Sequence, residues 1–196
     1  MIETHQMAME RLVGYASPKA KLTRMVAGGE LIRIRRGLYI DDNTLPRNAL
    51  APVIYGPSYI SFHTALAHYG LIPERVETVD SASYGKNRDK NYRTPVGEFR
   101  YLYIPPAAYP YGLTLTEEDG YSYLIASKEK ALCDAVYKAG LIDSTAEISE
   151  LLIENWRMEE SELLLMDLSC IKFLATRYGK KSLVTCALWF EKELHS

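Results

Sequence analysis

Arg33, Arg35 and Arg36, set around Gly37 in the stretch GGELIRIRRGLYI (residues 28–40), carry the chain's most suggestive chemistry. Guanidinium groups crowded at a turn can grip phosphate oxygens or enter a narrow groove of negative potential. Lys19, Lys21 and Arg24 lie just upstream, at spacings that put them on the polar side of a short helix whose inward side is Leu22, Met25 and Val26. Six cations in eighteen residues point to an anionic polymer as the partner. Six phosphate contacts would give a binding constant that falls with salt at a slope of about −5 on logarithmic axes. The competing reading is a solvated basic face with no partner.

Net charge qualifies this picture. The whole chain of 196 residues carries −2, but the charge is segregated. Residues 1–40 hold seven Lys/Arg against three Asp/Glu, a balance of +4, whereas residues 101–196 hold nine against fifteen, a balance of −6. A basic head and an acidic tail suit a protein that meets an anion with one end.

Other candidate chemistry is weaker. His63 and His68 are five residues apart and so fall on different faces of a helix, unlike the i, i+4 pair of a helical metal site. The absence of a CxxC pair among Cys133, Cys170 and Cys186 argues against both a zinc site and a disulfide framework. Lys128, Glu129, Lys130 and Asp134 cluster in sequence, but Glu129 and Lys130 diverge on a helix. Lys130 and Asp134 form an i, i+4 pair of surface value, about 0.2–0.5 kcal/mol. Glu129 could anchor its helix to the sheet. Seven tyrosines from Tyr92 to Tyr123, beside the basic stretch 86–93, suit either stacking on single-stranded nucleic acid or a sheet with phenols at its edge. The acidic run TEEDG (116–120) reads as an exposed turn. No Walker loop, GxGxxG turn or GxSxG elbow is present. The expectation is a non-enzymatic protein without metal or cofactor, cytoplasmic, with neither signal peptide nor membrane span.

The elements that must position the arginines follow from local patterns. Ser17 and Pro18 predict a helix start, with Gly28 and Gly29 stopping it near Ala27. Alternating apolar residues on either side of Arg35–Arg36–Gly37 predict a hairpin. A Pro-rich connection spans 41–57, with a short helix or strand within Leu50–Tyr55. Ser61 opens an amphipathic helix closed by Gly70. Strands are expected over Val76–Ala82, Glu98–Ile104 and Tyr121–Ile125, with residues 86–97 as an exposed loop and Pro105, Pro106 and Pro110 ending the sheet region. Helices follow from Ser127, from Ser144 with a Ser144/Glu147 capping box, from Ser161 or Asp167 to Tyr178, and from Lys181 to Leu194.

Four separated patches, in order, resemble the abortive-infection type IV antitoxins, the AbiEi-like regulators. GELIRIRRGLYI is similar to their wing. PSYISFHTALAHYGLIPE (57–74) is similar to the helix and turn opening their second half, and VGEFRYLYIP (96–105) with ASKEKALCDAVY (126–137) to a later strand and helix. The resemblance implies a regulator that binds promoter DNA of its own operon and counters a nucleotidyltransferase-like toxin. The expected fold is α+β: an abbreviated N-terminal winged-helix module over residues 1–45, then a mixed α/β domain over 46–196 with a helical C-terminal tail. The module is abbreviated because the sixteen residues before Ser17 allow one short helix, around Gln6–Gly14, where two would be needed. Two readings therefore stand: the Pro18–Ala27 helix still enters the groove, or the head has been kept for packing and only the antitoxin role remains.

Overall fold

The computed structural model describes residues 1–85 and 87–194. It is a mixed α+β structure with two sheets. Lys86, counted above among the basic residues of the 86–93 stretch, lies outside the described residues.

The head begins with a strand that the sequence pattern did not announce, β1 (Ile2–Thr4), followed by α1 (His5–Arg11), α2 (Pro18–Ala27), β2 (Ile32–Arg35) and β3 (Leu38–Ile40). The sheet order is β1-β3-β2, antiparallel throughout. Thr4 caps α1 through its hydroxyl, whereas Ser17 precedes α2 without a side-chain capping bond. Gly37 takes φ +80°, the left-handed conformation that a two-residue turn requires. Its carbonyl accepts the His5 N–H at 2.9 Å, so the hairpin turn is tied to the start of α1.

The head's sheet is buried on both faces. Leu31 and Tyr39 pack with Ala8, Leu12, Leu22 and Met25 of the two helices. Ile34, Leu38 and Ile40 face the other way and belong to the main core, with Leu50, Ile54 and Ile60. Apolar packing thus runs through the small sheet into the larger body, on both sides of the 41–57 stretch where the sequence suggests a boundary.

The larger body is built on a six-stranded sheet of order β6-β7-β5-β4-β9-β8. Its strands are β4 (Ser58–Ile60), β5 (Val79–Ser83), β6 (Lys90–Thr94), β7 (Gly97–Tyr103), β8 (Leu113–Glu118) and β9 (Tyr121–Ala126). β4 runs parallel to β9 and β5 parallel to β7, and the other neighbours are antiparallel. On one face lies α3 (Arg47–Ile54), where the Tyr101 hydroxyl donates to the Ala51 carbonyl at 2.7 Å. On the other lie α4 (Phe62–His68) and α5 (Lys128–Lys138), where Thr64 and Asp134 bond to sheet residues.

Behind α5 come α6 (Thr145–Ser149), a π-helical turn (Glu150–Asn155), α7 (Glu160–Leu163), α8 (Leu168–Tyr178) and α9 (Lys181–Glu193). The helical tail is as expected, with Ser127, Ser144 and Asp167 each capping through the side chain and Gly179 ending α8 in the left-handed region.

Three expectations need correction. Residues 90–94 are a strand, not an exposed loop: β6 pairs along its whole length with β7 and leaves only Tyr92 to pack inward against Tyr55 and Tyr101. The prolines at 105, 106 and 110 interrupt the sheet rather than end it, since β8 and β9 follow. Within TEEDG, Thr116 to Glu118 belong to β8, and only Asp119 and Gly120, both at positive φ, make the turn.

Candidate nucleic-acid interface

α2 presents its face in a graded way that its sequence explains. Leu22 and Met25 are buried, so the opposite arc carries Ala20, Thr23, Arg24 and Ala27, all exposed. Lys19 and Lys21 flank this arc on its two sides. Lys19 leans toward the hairpin: with His5, Leu22, Thr23, Val26, Ala27, Arg33 and Tyr39 it lines a groove of about 410 Å³ between α2 and the sheet. Lys21 leans away, its ammonium 3.8 Å from the Glu30 carboxylate and 5.6 Å from the centre of the Tyr15 ring. It is half-buried and paired, which corrects its placement on the open side of the helix.

The hairpin arginines do not act as a set. Arg33 pairs with Tyr39 and Arg35 with Leu38, a register shift that marks a β-bulge between the two arginines. Residues directly opposite share a face. Arg33 therefore lies on the α2 side with Tyr39, while Arg35 lies with Leu38 on the side of the larger body. Its charge is felt there: burial pushes the Tyr101 phenol well up, and Arg35 is the group that opposes the rise. Arg35 Nη1 also donates to the Arg36 carbonyl at 3.3 Å. Arg36, at the turn itself, is exposed.

Another head cation is consumed internally. Arg11 grips the buried Glu3 carboxylate with two bonds, Nη2 to Oε1 at 2.7 Å and Nε to Oε2 at 3.0 Å, and this pairing holds its pKa above the ordinary value. Lys19 and Arg33 line the groove, and Arg24, Arg35 and Arg36 are exposed outside its lining. The uncapped first turn of α2 adds backbone N–H groups and the positive end of a helix dipole beside Lys19.

The Lys130–Asp134 pair, read from sequence as a surface contact, is fully buried. Asp134 Oδ1 accepts from Lys130 Nζ at 3.0 Å and from the Tyr178 hydroxyl. Oδ2 accepts from the Tyr59 hydroxyl at 3.0 Å and from Ser61 Oγ at 2.6 Å. Burial and the Asp134 charge push both phenols well up, so they stay protonated and can donate. The network is buried and its polar side-chain atoms bond one another, which is the form of a structural element. Glu129 bonds Ser127 Oγ at 2.9 Å and the Asp167 N–H at 3.3 Å, so it ties α5 to the entry of α8 rather than to the sheet.

A second depression, of about 540 Å³, lies over the sheet between α4, α5 and Trp156. Its charged groups pair with one another: Arg100 holds the buried Asp80 with bonds of 2.8 and 2.7 Å, and Lys138 holds Asp89 at 2.8 and 3.0 Å. His63 sits at its wall, its ring edge-on to Trp156. Burial lowers the His63 pKa from 6.5, with Asp80 and Glu74 pulling it up and Arg100 pushing it down. The unfolded chain therefore binds this proton first, so stability is whole above about pH 6.5 and falls as the pH drops below it. Urea unfolding between pH 7.5 and 5 should show this loss at less than about 1.4 kcal/mol per pH unit, and His63→Gln should remove that part of the slope.

The tyrosines stand as packing groups, Tyr59 against Tyr109, Tyr84 against Tyr109, and Tyr111 against Phe173. Among the described residues no three His, Cys, Asp or Glu side chains gather as they would to hold a metal ion, and no helix is long and apolar enough to cross a membrane. Compared with protein-family models and with curated proteins, the chain matches none.

Proposed function

We propose that this protein is an antitoxin of the type IV, AbiEi-like kind, which represses its own operon by binding promoter DNA through the head and counters a nucleotidyltransferase-like toxin through the larger body. The observation that carries the DNA half is the groove between α2 and the hairpin, with Lys19 on one wall and Arg33 on the other. The strand–helix–helix–strand–strand order supports reading the head as a winged helix lacking its first helix, with α2 presented to the major groove and Arg36 at the wing. Small exposed residues along α2, namely Ala20, Thr23 and Ala27, allow close approach. Their methyl groups suit the thymine C5-methyl, and Arg24 beside them suits guanine.

The toxin half rests on the ordered likeness of the later patches. Tyr59 and Ser61 of the second patch meet Lys130 and Asp134 of the fourth in one buried network, so what these patches share with the family is the skeleton of the larger body.

Fluorescence anisotropy with the upstream DNA of its own gene tests the regulatory half. With Lys19, Arg33 and Arg36 as phosphate contacts and Arg24 kept for base edges, the logarithmic salt slope should be about −2.7, shallower than six contacts would give. Protein that ignores this DNA at low salt would overturn it. The pairing of Lys21 and the turning of Arg35 toward the larger body favour a second reading, an interaction module that keeps only the antitoxin role. Toxin neutralisation in cells by protein that binds no DNA would support that one.

A further inference from the structure

The depression over the sheet between α4, α5 and Trp156 is walled by backbone held against its local preference. Phe62 opens α4 at φ +54°, a left-handed conformation that is an outlier for a bulky side chain. Trp156 follows directly on the π-helical turn, a rare element often found at functional sites, and the next residue, Arg157, again takes a positive φ, +51°. Glu74 fixes Arg157 there by accepting from both Nε and Nη2. Phe62 and Trp156 line the depression, so three departures from regular backbone gather around one cavity of about 540 Å³, within the range of small-molecule sites.

We propose that this cavity binds a small anion carried on a planar ring, of the nucleoside monophosphate class. Arg100 supplies the seat for the anion. The buried Asp80 accepts from its Nε and Nη2, which fixes the plane of the guanidinium and uses two of its five N–H groups, while the side chain stays 43% exposed. The edge made by Nη1 and the second Nη2 N–H is left to grip a phosphate with two parallel bonds. Lys138, held in place by Asp89, brings a second cation to the same lining. Two cations set against Asp80 and Asp89 leave no net charge, which suits a monophosphate over a di- or triphosphate. The Trp156 indole, with the His63 ring edge-on to it, and Leu151 give the ring of the ligand an aromatic and apolar wall. The site takes no residue from the head, so it stands apart from DNA binding.

Isothermal calorimetry on the full chain with AMP, GMP, CMP and UMP tests it, with inorganic phosphate and the matching nucleosides alongside. At least one monophosphate should bind with a dissociation constant of about 1 mM or tighter, and inorganic phosphate and its nucleoside at least about tenfold more weakly. The same ligand should quench Trp156 emission, a signal lost in Trp156→Phe because the other tryptophan, Trp189, is buried. Arg100→Lys keeps a cation opposite Asp80 without the two-pronged edge and should weaken binding at least about tenfold. Ala139→Leu, at an exposed position ending α5, narrows the cavity and should weaken binding as much, so the proposal remains open to test even if Arg100→Lys does not fold. Failure of all four monophosphates to bind at about 1 mM overturns the proposal. So does binding that either folded variant leaves unchanged, or inorganic phosphate or a nucleoside that binds as tightly as the monophosphate.

Discussion

Asp134→Ala should cost about 3–5 kcal/mol in urea unfolding, a large part of the roughly 5–15 kcal/mol that holds a domain of ordinary stability together. The carboxylate receives Lys130, Tyr178, Tyr59 and Ser61, and all four lose this acceptor at once. Lys130 is left as a buried cation that keeps the Tyr178 hydroxyl as a hydrogen-bond acceptor and, beyond it, the faces of the Tyr178 and Tyr59 rings, 4.6 and 5.6 Å from its nitrogen. Lys130→Met should cost less, about 1–3 kcal/mol, because Asp134 keeps three hydroxyl donors. Adding Asp134→Leu to Lys130→Met removes both charges but orphans those hydroxyls, so it should recover only part of the loss seen in Asp134→Ala. A cost below about 1 kcal/mol for Asp134→Ala would show that the network does not hold α5, β4 and α8 together.

The spacing of Lys130 and Asp134 was legible in the sequence, and its burial was not. Ala131, Leu132, Ala135 and Val136 mark one apolar stripe, which predicts a helix covered on one side. α5 is instead covered by the sheet on one side and by α8 and α9 on the other, helices that arrive some forty residues later, and no pattern within α5 records them. The two strands at the sheet edges escaped for a related reason. β6 has a single apolar residue to turn inward, and β8 packs only Leu113 against the core while Leu115 stands in water, so neither has the one-sided burial that makes a strand readable. Legible were the features set by local chemistry: Pro18 after Ser17, Gly37 in the left-handed turn, the caps at Ser127 and Ser144. A bulge belongs to neither class. It depends on how two strands register, and the text IRIRRGLYI alternates too regularly to announce one.

That bulge separates two arginines that the sequence presents as equals, and it sets the expected outcome of replacing them. Arg33→Ala removes a cation from the α2 groove, so it should reduce the logarithmic salt slope by about 0.9 and weaken binding to every duplex alike, by roughly tenfold near physiological salt. Arg35→Ala should change the slope less, because Arg35 lies across from Leu38 beyond the bulge, bonds the Arg36 carbonyl and does not line the groove. Arg36→Ala should resemble Arg33→Ala, its side chain being free at the turn. Arg24→Ala should differ from all three, relaxing the preference among sequences as well as lowering affinity, since it stands at the centre of the face that would meet base edges. The comparison is best made by anisotropy titration at several salt concentrations on one promoter duplex and one scrambled duplex. If Arg35→Ala lowers the slope as much as Arg33→Ala does, the DNA crosses the hairpin from the other side and the α2 groove is not its seat.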